Sequence, residues 1–217
     1  MSRYAPIVIA LCVVASLLTV RAHRATATPE PQITAQSRGA TLRFGPEVTP
    51  ADQAWILGAI AAARPEAQRL ISEVDGLVTV HTGLDESNAI GLAQSGPDGL
   101  SVNFDVRLLN GDRAIDRNVV VLHELGHIID YLLLDDALIQ ELDAGIPPAG
   151  ACTSPSQDYG PCTAIDERFA DTFAKWALRG RFSLAGSGYG IPTPRSLEDW
   201  GMPLSRLATE LDIKARG

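Results

Sequence analysis

Basic side chains are scarce: lysine and arginine number 18 against 26 aspartates and glutamates, for a formal charge of −8. No local cluster of them stands out, which argues against nucleic acid as a partner. Cysteines are three, with no Cys-x-x-Cys spacing to suggest a thiolate metal site. Repeats and low-complexity tracts are lacking. Long apolar runs are also lacking, apart from one at the start of the chain. Yet 46% of the residues are hydrophobic and 20% charged, the composition of a folded domain rather than a disordered tail or a collagen-like fibre.

The single apolar run, residues 5–20, follows Arg3 and precedes a polar stretch and the small-residue pattern Ala25-Thr26-Ala27. These are the three regions of a secretory signal, so residues 1–27 are expected to be removed. The alternative is an uncleaved membrane anchor. The run is shorter than the ~20 apolar residues of a spanning helix and contains Pro6, Ser16 and Thr19. Cys12 follows Leu11, where lipid attachment would want a small residue. Cleavage removes three arginines and no acid, making the exported form more acidic still. It leaves Cys152 and Cys162, which in an oxidising compartment are expected to form a disulfide contributing roughly 2–3 kcal/mol.

Residues 28–40, with Pro29, Pro31 and Gly39, read as a linker, and the domain is expected over 41–217. Residues 41–44 suggest a short strand and 50–63 a helix beginning near Thr49 or Asp52, with a further turn or two to Ile71. Residues 77–81 alternate as a strand, and 89–93 with 99–104 read as a hairpin around Pro97. The strongest helical segments are 115–134 and 164–178, with 196–213 a plausible closing helix. A β-rich first half followed by helices predicts an α+β domain.

Within the first long helix lies His123-Glu124-Leu125-Gly126-His127. Histidines four apart on a helix project from one face and can grip a single ion. Glu124 lies beside that face, placed to reach water at the ion, while Val121, Leu125, Ile128 and Ile129 turn toward the core. With four histidines in the chain, roughly 0.003 such matches are expected by chance.

A hydrolytic zinc site keeps three protein ligands and an open position, so a third ligand is required. The position six after His127 is Leu133 and the third is Asp130, which excludes the metzincin pattern. His81, at the end of a strand, reads as a surface residue. Asp130, only three positions after His127, suits a hydrogen-bond partner better than a ligand. That leaves Glu167, one helical turn before Asp171, on a face whose Ala170 and Ala174 permit close approach of a second helix. Glu167 is therefore the expected third ligand, and Asp171 the acceptor that orients a ligand imidazole.

The two segments, residues 123–131 and 167–173 with Tyr159-Gly160 ahead of the latter, resemble the gluzincin superfamily of zinc metallopeptidases. Within it they are similar to the catalytic domain of anthrax lethal factor and the secreted proline-specific endopeptidases. The likeness spans roughly residues 119–178. It implies a zincin-like domain with a small mixed sheet, an active-site helix and a following glutamate helix, one zinc ion, and metalloendopeptidase activity. It also implies that a tyrosine before the glutamate helix stabilises the transition state, which falls by position on Tyr159. Between two cysteines, that phenol is either an oxyanion donor or an aromatic packing its own loop.

The expected function is that of a secreted zinc endopeptidase with Glu124 as general base and a protein or peptide as substrate. The strand over 100–104, just ahead of the metal helix, is expected to pair with an extended peptide. Two other functions share these residues: an exported binding protein stapled by zinc, and a zinc hydrolase acting on cell-wall peptides.

Overall fold

A computed structural model of the chain describes residues 42–83, 89–97, 99–110, 115–148, 163–181 and 190–216. The segments expected to be a signal (1–27) and a linker (28–40), and Cys152, Tyr159 and Cys162, lie outside them. All described residues belong to one unit, Ser37–Gly217. Among them no helix is long and apolar enough to cross a membrane.

The architecture is α+β: eight helices and one four-stranded mixed sheet among the described residues. Strand β1 (Arg43–Phe44) leads into helix α1 (Pro50–Ala62), where Thr49 Oγ1 accepts from the Asp52 N–H and Pro50 opens the first turn. Helix α1 ends at Ala63 because Pro65 holds the residue before it, Arg64, in an extended conformation. Helix α2 (Pro65–Val74) then buries Ala67, Leu70, Ile71 and Val74, an i, i+3, i+4, i+7 stripe.

Strands β2 (Val78–Thr82), β3 (Gly91–Gly96) and β4 (Gly99–Phe104) complete the sheet in the order β1-β2-β4-β3. β1 runs parallel to β2 and β2 to β4, while β3 is antiparallel to β4 across the foreseen hairpin. Val78, Val80 and Thr82 are buried and face the same side as Val102 and Phe104. The intervening Thr79, His81, Ser101 and Asn103 are less buried, so one side of the sheet faces the core.

A short helix α3 (Val106–Leu109), capped by the Asp105 carboxylate, turns the chain toward α4 (Arg117–Leu133), the helix of the histidine motif. Helix α5 (Asp136–Ala144) and helix α6 (Ile165–Ala177) follow. Arg168 of α6 ties the two together, donating to Asp143 Oδ1 at 2.6 Å and to the Ile146 carbonyl at 3.1 Å. Phe169, Phe173 and Trp176 are fully buried, as their spacing predicted.

The closing segment differs from expectation, because it forms two helices, α7 (Leu197–Trp200) and α8 (Met202–Lys214). They break at Gly201, where a Cβ would collide with the Trp176 indole; Pro203 follows in the first turn of α8. The α3 and α5 helices were not foreseen.

Candidate metal centre

Helix α4 begins at Asp116, whose carboxylate accepts from the Asn118 N–H. It is covered nearly all round: Val121, Leu122, Leu125, Ile128 and Ile129 are at most 1% exposed. His123, Glu124, His127 and Asp130 are buried with them. So the helix does not present an open polar face; its polar stripe is enclosed by α6 and by β3. Burying four such groups is costly unless they are satisfied.

The imidazoles of His123 and His127 stand edge to face, ring centroids 4.8 Å apart. Their Nε2 atoms approach to 3.2 Å. Glu167 Oε2, reaching across from the first turn of α6, lies 3.1 Å from His123 Nε2 and 3.5 Å from His127 Nε2. Among the described residues these three form the cluster able to hold a metal ion. The imidazoles are 7–8% exposed and the Glu167 carboxylate 30%, so the group opens to solvent on the glutamate side.

The distances decide what this cluster suits. Four donors around zinc at 2.0–2.1 Å lie about 3.3 Å from one another, and the three separations here bracket that value. Hydrogen bonding alone accounts for them poorly. A ring nitrogen is either donor or acceptor, so His123 Nε2 cannot both accept from His127 and donate to Glu167. Converging lone pairs are resolved by a cation. Two imidazoles and one carboxylate are also a donor set that zinc takes.

The local electrostatics follow from this crowding. Burial acts to raise the Glu167 carboxyl, but hydrogen bonds and charge from His123 and His127 outweigh it and hold the group well below the usual carboxylate range. For His127, burial favours the neutral ring, but Glu167 and Glu124 together push its pKa up. Glu124 goes the other way from Glu167. Burial raises its carboxyl, and the nearby imidazoles offset this only in part. Its carboxylate accepts a hydrogen bond from the backbone N–H of Ala93 on β3.

His81 is 41% exposed and paired with Glu47 at 2.7 Å, outside the cluster. Asp130 is buried on α4 beyond His127. Asp171 Oδ2 lies 2.5 Å from Lys175 Nζ, one turn on, with both side chains 2% exposed. Among the described residues His127 Nδ1 has no hydrogen-bond partner.

The expectation for residues 100–104 is overturned. β4 is hydrogen-bonded to β2 on one side and to β3 on the other, which leaves it no free edge. Its Val102 and Phe104 are buried, as suits a central strand. Among the described residues β3 is the edge beside the centre.

Sequence reasoning gave no role to Tyr131. Its ring is stacked on His127, centroids 6.2 Å apart and planes 25° from parallel. Burial, then the charges of Asp166 and Asp130, push its phenol up to about 12. The signal was present in the spacing, since Tyr131 follows His127 by four positions and so lies above it on the same helix face.

Neither protein-family models, curated proteins nor solved structures give a match to this chain.

Proposed function

We propose that this chain is an exported zinc metallopeptidase with a zincin-like domain of the gluzincin type. The observation that carries the reading is the convergence of His123 Nε2, His127 Nε2 and Glu167 Oε2 at the mutual spacing of zinc ligands, with Glu124 adjacent but outside the set. A purely structural site has no use for such a neighbour and usually fills its fourth position with protein.

His123, His127 and Glu167 would hold the ion. A zinc ion there supplies Lewis acidity, making water acidic near neutral pH and polarising a carbonyl. Glu124 takes the proton of the attacking water and returns it to the departing amine, a role typically contributing ~10²–10⁴-fold. Burial favours that exchange, because a carboxylate raised above its ordinary range holds a proton more readily. An extended peptide adds to β3, the strand already in contact with the base, and side-chain pockets select the sequence cleaved. Tyr159, from the resemblance, is proposed to donate to the developing oxyanion.

The test is Glu124→Gln. It should retain one zinc per chain by mass spectrometry and lose peptide cleavage. Undiminished cleavage would remove Glu124 from the mechanism. A wild-type chain that binds zinc and cleaves neither peptide libraries nor cell-wall fragments would overturn the hydrolase reading and favour a zinc-stapled binding protein.

A further inference from the structure

Strand β3 opens with a glycine at the point where Glu124 comes closest. A Cβ at Gly91 would stand 2.5 Å from Glu124 Oε1, 2.7 Å from Cγ and 2.8 Å from Cδ, well inside the ~3.5–4.0 Å of favourable contact. The strand cannot withdraw, so the carboxylate must. Gly91 is in register with the buried Phe104 of β4, and the preceding Ile90 carbonyl accepts the Asp105 N–H at 2.9 Å. Glu124 is itself buried on α4 between His123 and Leu125, and a displaced carboxylate would give up the Ala93 N–H. Strand alternation puts Gly91 and Ala93 on one face of β3, so the same stretch supplies an empty site and a donor.

Backbone conformation does not call for glycine here. The positive-φ glycines among the described residues are Gly76, Gly99, Gly180 and Gly190; Gly91 is not one of them. Glycine within a strand is destabilising, and what it supplies at this position is room.

We propose that Gly91 is a positioning residue for Glu124: the missing side chain on β3 is the seat that fixes the carboxylate beside the metal ligands. This rests on the reading of Glu124 as the base. Side chains larger than hydrogen at position 91 force the carboxylate to rotate away, and the proton acceptor is lost from its place while the ion stays bound.

Four full-length proteins test it: wild type, Gly91→Ala, Glu124→Ala and the double variant. Gly91→Ala should lower the thermal midpoint by several degrees in the wild-type background. It should leave the midpoint unchanged in the Glu124→Ala background, where the atoms it would strike are gone. Zinc content should be equal in all four. In peptide cleavage, Gly91→Ala should lower kcat by roughly 100-fold with KM little changed. Equal midpoint losses in the two backgrounds overturn the proposal, as does a normal kcat in the Gly91→Ala protein. If wild type itself cleaves nothing, the peptidase reading fails separately; a coupled midpoint then still supports Gly91 as the seat of the carboxylate, and an uncoupled one overturns it.

Discussion

Gly126, between the two histidines of α4, lies against the backbone of Ala170 on α6. A Cβ at Gly126 would meet Ala170 Cα at 3.1 Å and the Phe173 ring at 3.3 Å. This crossing sets how far Glu167, one turn before Ala170, reaches toward the imidazoles.

Glycine substitutions at two helical positions should therefore have opposite signs. Gly126→Val pushes α6 outward and is expected to cost about 1–3 kcal/mol by overpacking, with weaker zinc binding. Gly58→Ala, on α1 where nothing lies within 4 Å, should stabilise by about 0.5–1 kcal/mol. Denaturant midpoints and zinc titration on both variants check this. Zinc affinity untouched by Gly126→Val would mean the crossing does not govern the centre.

The buried pair of Asp171 and Lys175 yields a second expectation. Lys175 also donates to the Ile191 carbonyl at 2.6 Å. Replacing it by methionine strands a buried carboxylate and should cost about 3–5 kcal/mol. Adding Asp171→Leu should recover much of that loss. Equilibrium unfolding of the single and double variants gives the comparison, and a double variant no better than the single would contradict it.

Acidity should act on the metal-free and metal-loaded protein with different signs. Without the ion, Glu167 is held below its ordinary 4.5, so its contribution is present above that pH and fades as pH falls toward its folded value. His127 is raised above 6.5, so its contribution is complete below that pH and fades as pH climbs through the folded value. The metal-free protein thus draws most from these groups between pH 4.5 and 6.5. Zinc instead requires neutral imidazoles and gains as protons leave. The rise in melting temperature on adding zinc should be larger at pH 8 than at pH 5.5; calorimetry showing the reverse would rule out imidazole ligation.

Removing the ion offers a simpler check. Chelation should lower the melting temperature of wild type, and much less that of Glu167→Ala, which has lost one ligand before chelator is added.

The centre was legible because a helix converts sequence spacing into direction. His123 and His127 are four apart, and Phe169, Phe173 and Trp176 show which side of α6 is inward, leaving Glu167 to face α4. The hairpin was legible from its turn residues. Strand order was not, because it is set by contacts distant along the chain; Leu100, Val102 and Phe104 look the same in an edge strand as in a central one. The buried pair of Asp171 and Lys175 was not foreseen for a related reason. Lys175 reads as a solvated residue, and only the packing of α6 reveals that it is buried. Gly91 carried no signal, since a strand-interior glycine is ordinarily a bulge or a weak point.

The three donors come from two helices, and His123 and Glu167 are 44 positions apart in the chain. Histidines on a nascent α4 make only a two-pronged clip, with no anionic third arm. The third donor is in place only when α6 is packed on α4 through Phe169 and Phe173, so the cluster is a product of tertiary assembly and a chain lacking that packing keeps no three-armed cage.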